Sequence, residues 1–401
     1  MIGIDVLRKK ASEQLAEVVA MRRHLHAHPE LSFEEEQTAR FVAKLLREMG
    51  IPHRTDVAGH GVVAVIEGLD PGRNCVCLRG DMDALPIQEA NEVPYRSTRA
   101  GVMHACGHDV HTACLLGAAR LLWETRTEWY GTVKLLFQPA EEKLPGGASL
   151  MIEAGALQNP SPTAIFGQHV HPSMRAGKVG FRAGPYMASA DEIYVTVRGK
   201  GGHGALPHEV VDPILVASHL VVALQQLVSR MADPLMPSVL SFGRFLAEGA
   251  TNVIPNEVRL EGTFRTMDEK WRAEAHRRMV QLATGLCGGM GASCDFHIAK
   301  GYPALLNHVG LTQRARQWAE DYLGPENVED LPLRMTAEDF AYYSQVMPAC
   351  FYRLGTGNPE KGLSYPVHTD RFDIDESALE TGAGLMAWMA IGATQGNRWE
   401  G

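Results

Sequence analysis

Val133-Lys-Leu-Leu-Phe-Gln-Pro-Ala-Glu-Glu142 is the stretch on which the fold turns. A mostly apolar, strand-forming run, Val133 to Phe137, gives way to a proline and then to two adjacent carboxylates, so a buried strand ends and a polar loop begins. Similar runs stand at Gly61-Val-Val-Ala-Val-Ile-Glu67, Cys75-Val-Cys-Leu78 and Ala164-Ile-Phe166, and helical patterns at 108–124 and 147–155 separate the later ones. That alternation predicts an α/β sheet, in which functional residues collect where strands meet loops. Asp81, Glu141 and His169 each follow such a run. Upstream, helix periodicity extends to about Ala27. After His28-Pro29-Glu30, the segment Ser32-Phe33-Glu34-Glu35 reads as a capping box opening a second helix that ends near Gly50.

From about Met187 the texture changes. An alternating strand at 191–198, a helix from Asp212-Pro213 to about Arg230, strands near 238–243 and 257–264 and a helix over roughly 268–286 make a β-α-β-β-α pattern. Residues 187–294 are therefore expected to form a small α+β domain inserted into a larger one made of 1–186 and 295–401.

Composition narrows the function. Lys and Arg total 38 against 47 Asp and Glu, and the net charge of -9 is spread along the chain, without the basic stripe a nucleic acid requires. The apolar stretches 213–228 and 382–393 are broken by polar residues or fall short of the ~20 needed to cross a bilayer, so no membrane partner is expected. The N-terminus reads as an amphipathic helix rather than a signal peptide, which places the protein in the cytoplasm. Seven cysteines are odd in number and sparse for 401 residues, which argues against a disulfide scaffold. Several of the 17 histidines stand beside glycine, acid or cysteine, so metal chemistry comes first among the possibilities.

The densest cluster is Met103-His104-Ala-Cys106-Gly107-His108-Asp109-Val-His111, where a thiol and an imidazole flank a glycine. Together they suit a borderline-soft divalent metal. Alone, the pair equally fits a helix N-terminus with a buried thiol. Glu141 and Glu142 can point in different directions outside regular structure, one toward a cation and the other acting as a base toward water. In Arg79-Gly-Asp81-Met-Asp83, one carboxylate can support a metal-binding histidine through its second ring nitrogen. His169 and His368 lie in Gly167-Gln-His169-Val-His171 and Val367-His368-Thr-Asp370. Each would be ordinary by itself; the weight lies in donors of the right type recurring at successive strand ends.

Other motifs carry less. Gly199-Lys-Gly201-Gly202-His203-Gly204 matches a dinucleotide pattern, but Ala205-Leu206-Pro207 obstructs a following helix and no acid stands about 20 residues on. A mobile glycine loop presenting His203 fits better. His208-Glu-Val-Val-Asp212 lacks the second histidine of a zincin, and no G-x-S-x-G elbow is present.

The ordered set His28-Pro-Glu-Leu-Ser-Phe33, Arg79-Gly-Asp-Met-Asp-Ala-Leu-Pro86, Met103-His-Ala-Cys-Gly-His-Asp109, Gln138-Pro-Ala-Glu-Glu142 and Gly199-Lys-Gly-Gly-His203 closely resembles one family. It continues through Thr251-Asn-Val-Ile-Pro255, Glu338-Asp-Phe-Ala-Tyr-Tyr343 and His368-Thr-Asp-Arg-Phe-Asp-Ile-Asp-Glu376, nearly the whole chain in order. The resemblance is to the amidohydrolase branch of the aminoacylase and glutamate-carboxypeptidase metallopeptidases, which includes hippurate and indoleacetyl-amino-acid hydrolases.

That resemblance implies a mixed-sheet catalytic domain with two divalent metal ions (Zn, Mn, Co or Ni) and an inserted lid that also forms a homodimer or higher homo-oligomer. Its ligands would be Cys106, His108, Glu142, His169 and His368, with Cys106 bridging. Glu141 would be the general base and Asp83 the support of a ligand, while His203 and Asn252 would contact the substrate carbonyl or carboxylate. The implied reaction is hydrolysis of an N-acyl amino acid. The alternatives are a dipeptidase, a carboxypeptidase or an N-acetyl-diaminopimelate-type deacetylase and, from another class, a non-catalytic metal-binding or ligand-binding protein. Asp81 stands where the wider family has histidine, and Cys106 where it has a bridging carboxylate; the amidohydrolase branch shares both. Thr336-Ala337, Lys143-Leu-Pro145 and Tyr302 depart from related patterns and bear on specificity.

Overall fold

The structure, a computed structural model, describes residues 2–396. The chain divides into two compact units, one comprising Met1–Gly184, Leu306–Pro332 and Asp339–Gly401, the other Pro185–Leu305 and Leu333–Glu338.

The first unit is built on eight strands: β1 (His53–Val57), β2 (Gly61–Glu67), β3 (Cys75–Asp81), β4 (Thr132–Gln138), β5 (Ala164–Arg175), β6 (Val179–Phe181), β7 (Val328–Asp330) and β8 (Ala349–Gly357). They lie in the order β1-β2-β4-β3-β5-β8-β6-β7. The centre, β4-β3-β5-β8, is parallel, and β1 and β2 extend it antiparallel. β3 and β4 are buried at every position, which is why they read as continuous runs. β5 continues to Arg175, well past the three residues read from sequence, so His169 lies within the strand, paired with Arg353.

Helices α1 (Ile4–Glu13), α2 (Leu15–Ala27), α3 (Glu36–Met49), α4 (His108–Glu124) and α5 (Ala378–Gln395) cover this sheet, with α4 packed on α2 and α5. α3 ends at Gly50, whose φ of 78° closes the last turn at no steric cost. Its start departs from the capping-box reading. Glu30 accepts the Thr38 N–H at 2.9 Å, whereas Ser32 and Glu35 cap nothing. Both side chains point to other partners, described below.

The second unit is a four-stranded antiparallel sheet in the order Ser238–Leu246, Glu257–Thr266, Asp191–Arg198, Ser293–Lys300. Strand 191–198 alternates buried and exposed residues, the signature of a sheet covered on one face. Helices Pro213–Leu224 and Glu269–Gly289 supply that cover. The first opens with Asp212 accepting the Ile214 N–H and with proline in the first turn. Residues 295–305, which the sequence texture assigns to the main domain, fall in this unit because strand 293–300 pairs along the whole of 191–198.

Pro213–Met231 is long and apolar enough, by composition alone, to cross a membrane. Its Val216, Ala217, Leu220 and Leu224 are buried in the core of the unit, while Leu215 and Val222 face outward.

Candidate metal centre

The parallel strands β3, β4 and β5 all run in one direction, and the candidate residues gather where they and the start of α4 converge. Cys106 and His108 flank Gly107, whose φ of 81° turns the chain into α4. A Cβ there would lie 2.6 Å from the Val170 side chain, so only glycine allows the loop so close to β5. The Cys106 thiol is thereby 3.4 Å from His169 Nε2. His169 Nδ1 meets the Val170 carbonyl at 2.9 Å, which leaves Nε2 as the lone-pair nitrogen facing the thiol.

Two groups of side chains share Cys106. Ligand atoms of Cys106, His108 and His169 lie within 4.8 Å of one another, and so do those of Cys106, Glu142 and His368. His368 is held by its N–H to the Ala105 carbonyl at 2.8 Å, with a left-handed φ of 64°. Its Nε2 approaches Glu142 Oε1 to 3.1 Å, in a geometry that makes no hydrogen bond. Glu141 and Glu142 form a further group with His108. Glu141 Oε1 accepts the Asp339 N–H at 3.4 Å, and its Oε2 lies 3.9 Å from His108 Nε2.

Behind these atoms lies a buried layer whose bonds are set. Asp83 Oδ1 meets His108 Nδ1 at 3.0 Å, and its Oδ2 accepts the Glu142 N–H at 2.9 Å and the Ser32 hydroxyl at 2.6 Å. Burial opposes ionisation of Asp83, but these bonds outweigh it and hold the carboxyl below its usual range. Asp81 is clamped by Arg79 and by His111 Nδ1 at 2.6 Å, and His111 Nε2 accepts the Val170 N–H at 2.9 Å. Arg79 also reaches Gln138 and Asp339, at 2.9 and 2.7 Å. Ser32, His111 and Asp339 were not singled out from sequence as site residues. They lie inside or beside quoted motifs, and only the long-range pairing reveals their purpose.

The donor set fits divalent cations. His108 Nε2 and Glu142 Oε1 are buried without a hydrogen-bond partner, a state native proteins rarely leave unexplained. Burial works against protonation of His108, yet Asp81 and Asp83 push it up to about 10. Burial, then Glu142 and Glu141, hold the Cys106 thiol well above its ordinary value. A cation resolves all three, since it accepts nitrogen and carboxylate lone pairs and makes a thiolate tolerable among acids.

His203 and Asn252 belong to the second unit, where His203 pairs with Val253 in a two-residue ladder and the Gly204 N–H bonds the Asn252 carbonyl at 2.8 Å. Both residues are exposed. His203 Nδ1 accepts the Ala205 N–H at 3.0 Å, so the neutral ring carries its proton on Nε2, ready to donate.

Residues 77–391 match the model of peptidase family M20/M25/M40. The chain is 43% identical over 304 residues to N-acyl-L-amino acid amidohydrolase of Geobacillus stearothermophilus, covering 76% of this chain and 81% of that protein. It is 38% identical over 391 residues to thermostable carboxypeptidase 2 of Saccharolobus solfataricus, covering 97% and 98%. Among solved structures it superposes on the Bacillus subtilis YXEP protein, described as a dinuclear metal binding peptidase from the M20 family. The TM-score is 0.83 and the identity 34%, with 96% of this chain and 99% of that one covered.

Proposed function

This chain belongs to peptidase family M20/M25/M40, and from that membership we propose how its residues divide the work of metal-dependent amide hydrolysis. The substrate is an N-acyl amino acid, cleaved to a carboxylic acid and a free amino acid. Cys106, His108, Glu142, His169 and His368 would hold two divalent cations, of Zn, Mn, Co or Ni, the Cys106 thiol being common to both ligand groups. The observation carrying this reading is that two three-residue groups meet at that one thiol. Bound there, such cations would supply Lewis acidity toward the amide carbonyl and lower the pKa of water toward neutral.

The chain supplies the rest. Glu141 takes a proton from the water as its oxygen bonds to the amide carbon, then delivers it to the nitrogen as the C–N bond breaks. Asp83 fixes the His108 ring through Nδ1, so that Nε2 faces the ligand group. His203 donates from Nε2 to the oxygen that gains charge, and Asn252 contacts the substrate carbonyl or carboxylate. Glu141→Gln should keep its metal and lose about 10²–10⁴-fold in kcat. If turnover survives with metal in place, the base lies elsewhere.

The carboxypeptidase relative favours a second reading, in which a peptide rather than an acyl amide is cut. A panel of N-acetyl and N-benzoyl amino acids and dipeptides, run with each metal added to apoenzyme, separates the two. The second unit pairs two copies of the chain. Exposed Leu215 and Val222 and the edge strand carrying Phe245 support that arrangement, and light scattering after gel filtration tests it. All seven cysteines are unpaired, which supports a reducing, cytoplasmic setting.

A further inference from the structure

The segment Ser32-Phe-Glu-Glu35 caps no helix, and Glu35 shows where one of its carboxyls goes instead. Glu35 is fully buried, and its Oε1 accepts the N–H of Ala140 at 2.7 Å, 105 residues along the chain. Ala140 is itself fully buried with a φ of 53°. A left-handed alanine costs about 1–2 kcal/mol and persists only where its surroundings impose it. Here the imposition comes from both sides, because the Ala140 carbonyl accepts the Gly147 N–H at 2.8 Å. The next two residues are Glu141 and Glu142, whose side chains must part: Glu141 reaches the Asp339 N–H, whereas the Glu142 N–H is tied to Asp83.

We propose that Glu35 is the positioning residue of the catalytic base, holding Ala140 in the left-handed turn from which Glu141 and Glu142 diverge. The proposal rests on the reading of Glu141 as that base. Reach is what the role requires, not charge. Burial, reinforced by Asp83, pushes the Glu35 carboxyl up to about 7, and its Oε2 is buried without a hydrogen-bond partner. A neutral acceptor of the same length would serve the Ala140 N–H equally well. Without an acceptor that N–H is a buried, unpaired donor, and the turn relaxes to free it.

Two conservative variants separate reach from charge. Glu35→Gln keeps the acceptor at full length and removes the ionisable group. Glu35→Asp keeps the carboxyl and withdraws it by one methylene. In the metal-loaded enzyme, Glu35→Asp should lower kcat about 10–100-fold, the scale of an ångström's misplacement of a catalytic group. KM should stay within about twofold and metal content unchanged, because Glu35 touches neither substrate nor the proposed ligands and the Glu142 N–H keeps its own bond to Asp83. Glu35→Gln should stay within about threefold of wild type in kcat. Hydrogen exchange at the Ala140 amide should be as slow in Glu35→Gln as in wild type and faster in Glu35→Asp. Both variants alike in kcat, the reverse order, or an Ala140 amide equally protected in both would overturn the proposal. Both variants keep Glu141, so a wrong assignment of the base appears in Glu141→Gln, whereas a wrong role for Glu35 appears in this ordering.

Discussion

Two of the molecule's Asp-Arg-His clusters, one in each unit, have nearly the same chemistry. In the first unit Asp81 is held by Arg79 and by His111 at 2.6 Å. In the second, Asp191 is held by Arg272 at 2.9 Å and by His276 at 2.7 Å. Burial opposes the charge of both carboxylates, and in both the hydrogen bonds and charges of the partners prevail and lower the pKa. A perturbed pKa therefore does not tell the two apart. What differs is the bonding beside them. Next to Asp81, His108 Nε2 and Glu142 Oε1 are buried and unpartnered; no side-chain atom of Asp191, Arg272 or His276 is in that state. The second cluster turns to backbone, with Arg272 on the Gly301 carbonyl at 2.9 Å and the Gly301 N–H on Asp191 at 3.2 Å. Between these two, unmet bonding capacity beside the carboxylate marks the reactive cluster, and completed bonding the structural one.

The contrast breaks most readily at Cys106. Cys106→Ala removes the donor common to both ligand groups, so metal occupancy should fall and amine release should drop to background. Cys106→Asp should recover part, because a carboxylate also bridges two cations. Chelator treatment at neutral pH should reproduce the loss and added divalent ion reverse it. Elemental analysis beside an N-acyl amino acid assay checks both; full activity at unchanged metal content in Cys106→Ala would refute the assignment.

The second unit should matter to catalysis through its glycine loop rather than through its buried cluster. His203→Ala should cost about a hundredfold in kcat, the scale of losing one oxyanion donor. If His203 serves the site of a partner copy, mixing His203→Ala with Glu141→Gln should restore activity, since one site of each mixed dimer then has both residues intact. Mixed dimers as inactive as either parent would place His203 in its own chain's site or outside catalysis.

Asp191→Asn should do the opposite, costing stability and sparing turnover. Removing one partner from a buried ion pair costs about 3–5 kcal/mol, and the lower figure applies here because Arg272 keeps Glu269 at 3.0 Å. The folded-state pKa of Asp191 is depressed, so its contribution is fully present above the ordinary carboxylate pKa of about 3.9 and fades as pH falls below it. Urea midpoints of wild type and variant should therefore differ most at pH 7 and draw together near pH 3. A gap that persisted in acid would mean that Asp191 acts by packing and not by charge.

The sequence made much of this legible where a pattern is local. Runs such as Gly61–Glu67 marked strands, and the residues from Cys106 to His108 and from Glu141 to Glu142 marked donors because few other roles suit those types at those spacings. β1 escaped because only Val57 of its five residues is buried, so its polar face hid the period. Apart from Asp83, the supporting layer escaped for a different reason. Ser32 with Asp83, Glu35 with Ala140 and His111 with Val170 are pairs 51, 105 and 59 residues apart, and no local rule joins them. The capping-box reading failed at the same point, because two of its side chains were committed to distant partners.

The smallest effect belongs to Cys77, and it tests whether burial alone could mimic the site. Cys77 in β3 is wholly buried, like Cys106 nearly so, and burial raises both thiols well above their ordinary value. Their neighbours differ: the chief further influence on Cys106 is Glu142, whereas Cys77 has another thiol, Cys75, and Lys134. A thiol among carboxylates suits a cation; a thiol beside another thiol in a strand is packing. Cys77→Ala should thus cost about 1 kcal/mol, the loss of one buried heavy atom and the small void it leaves. Cys77→Ser should cost more, since its hydroxyl enters an apolar strand interior needing a partner. Neither should change metal content or kcat. Loss of metal from Cys77→Ala, in protein that melts within a few degrees of wild type, would show that β3 shapes the centre through its interior as well as through its end.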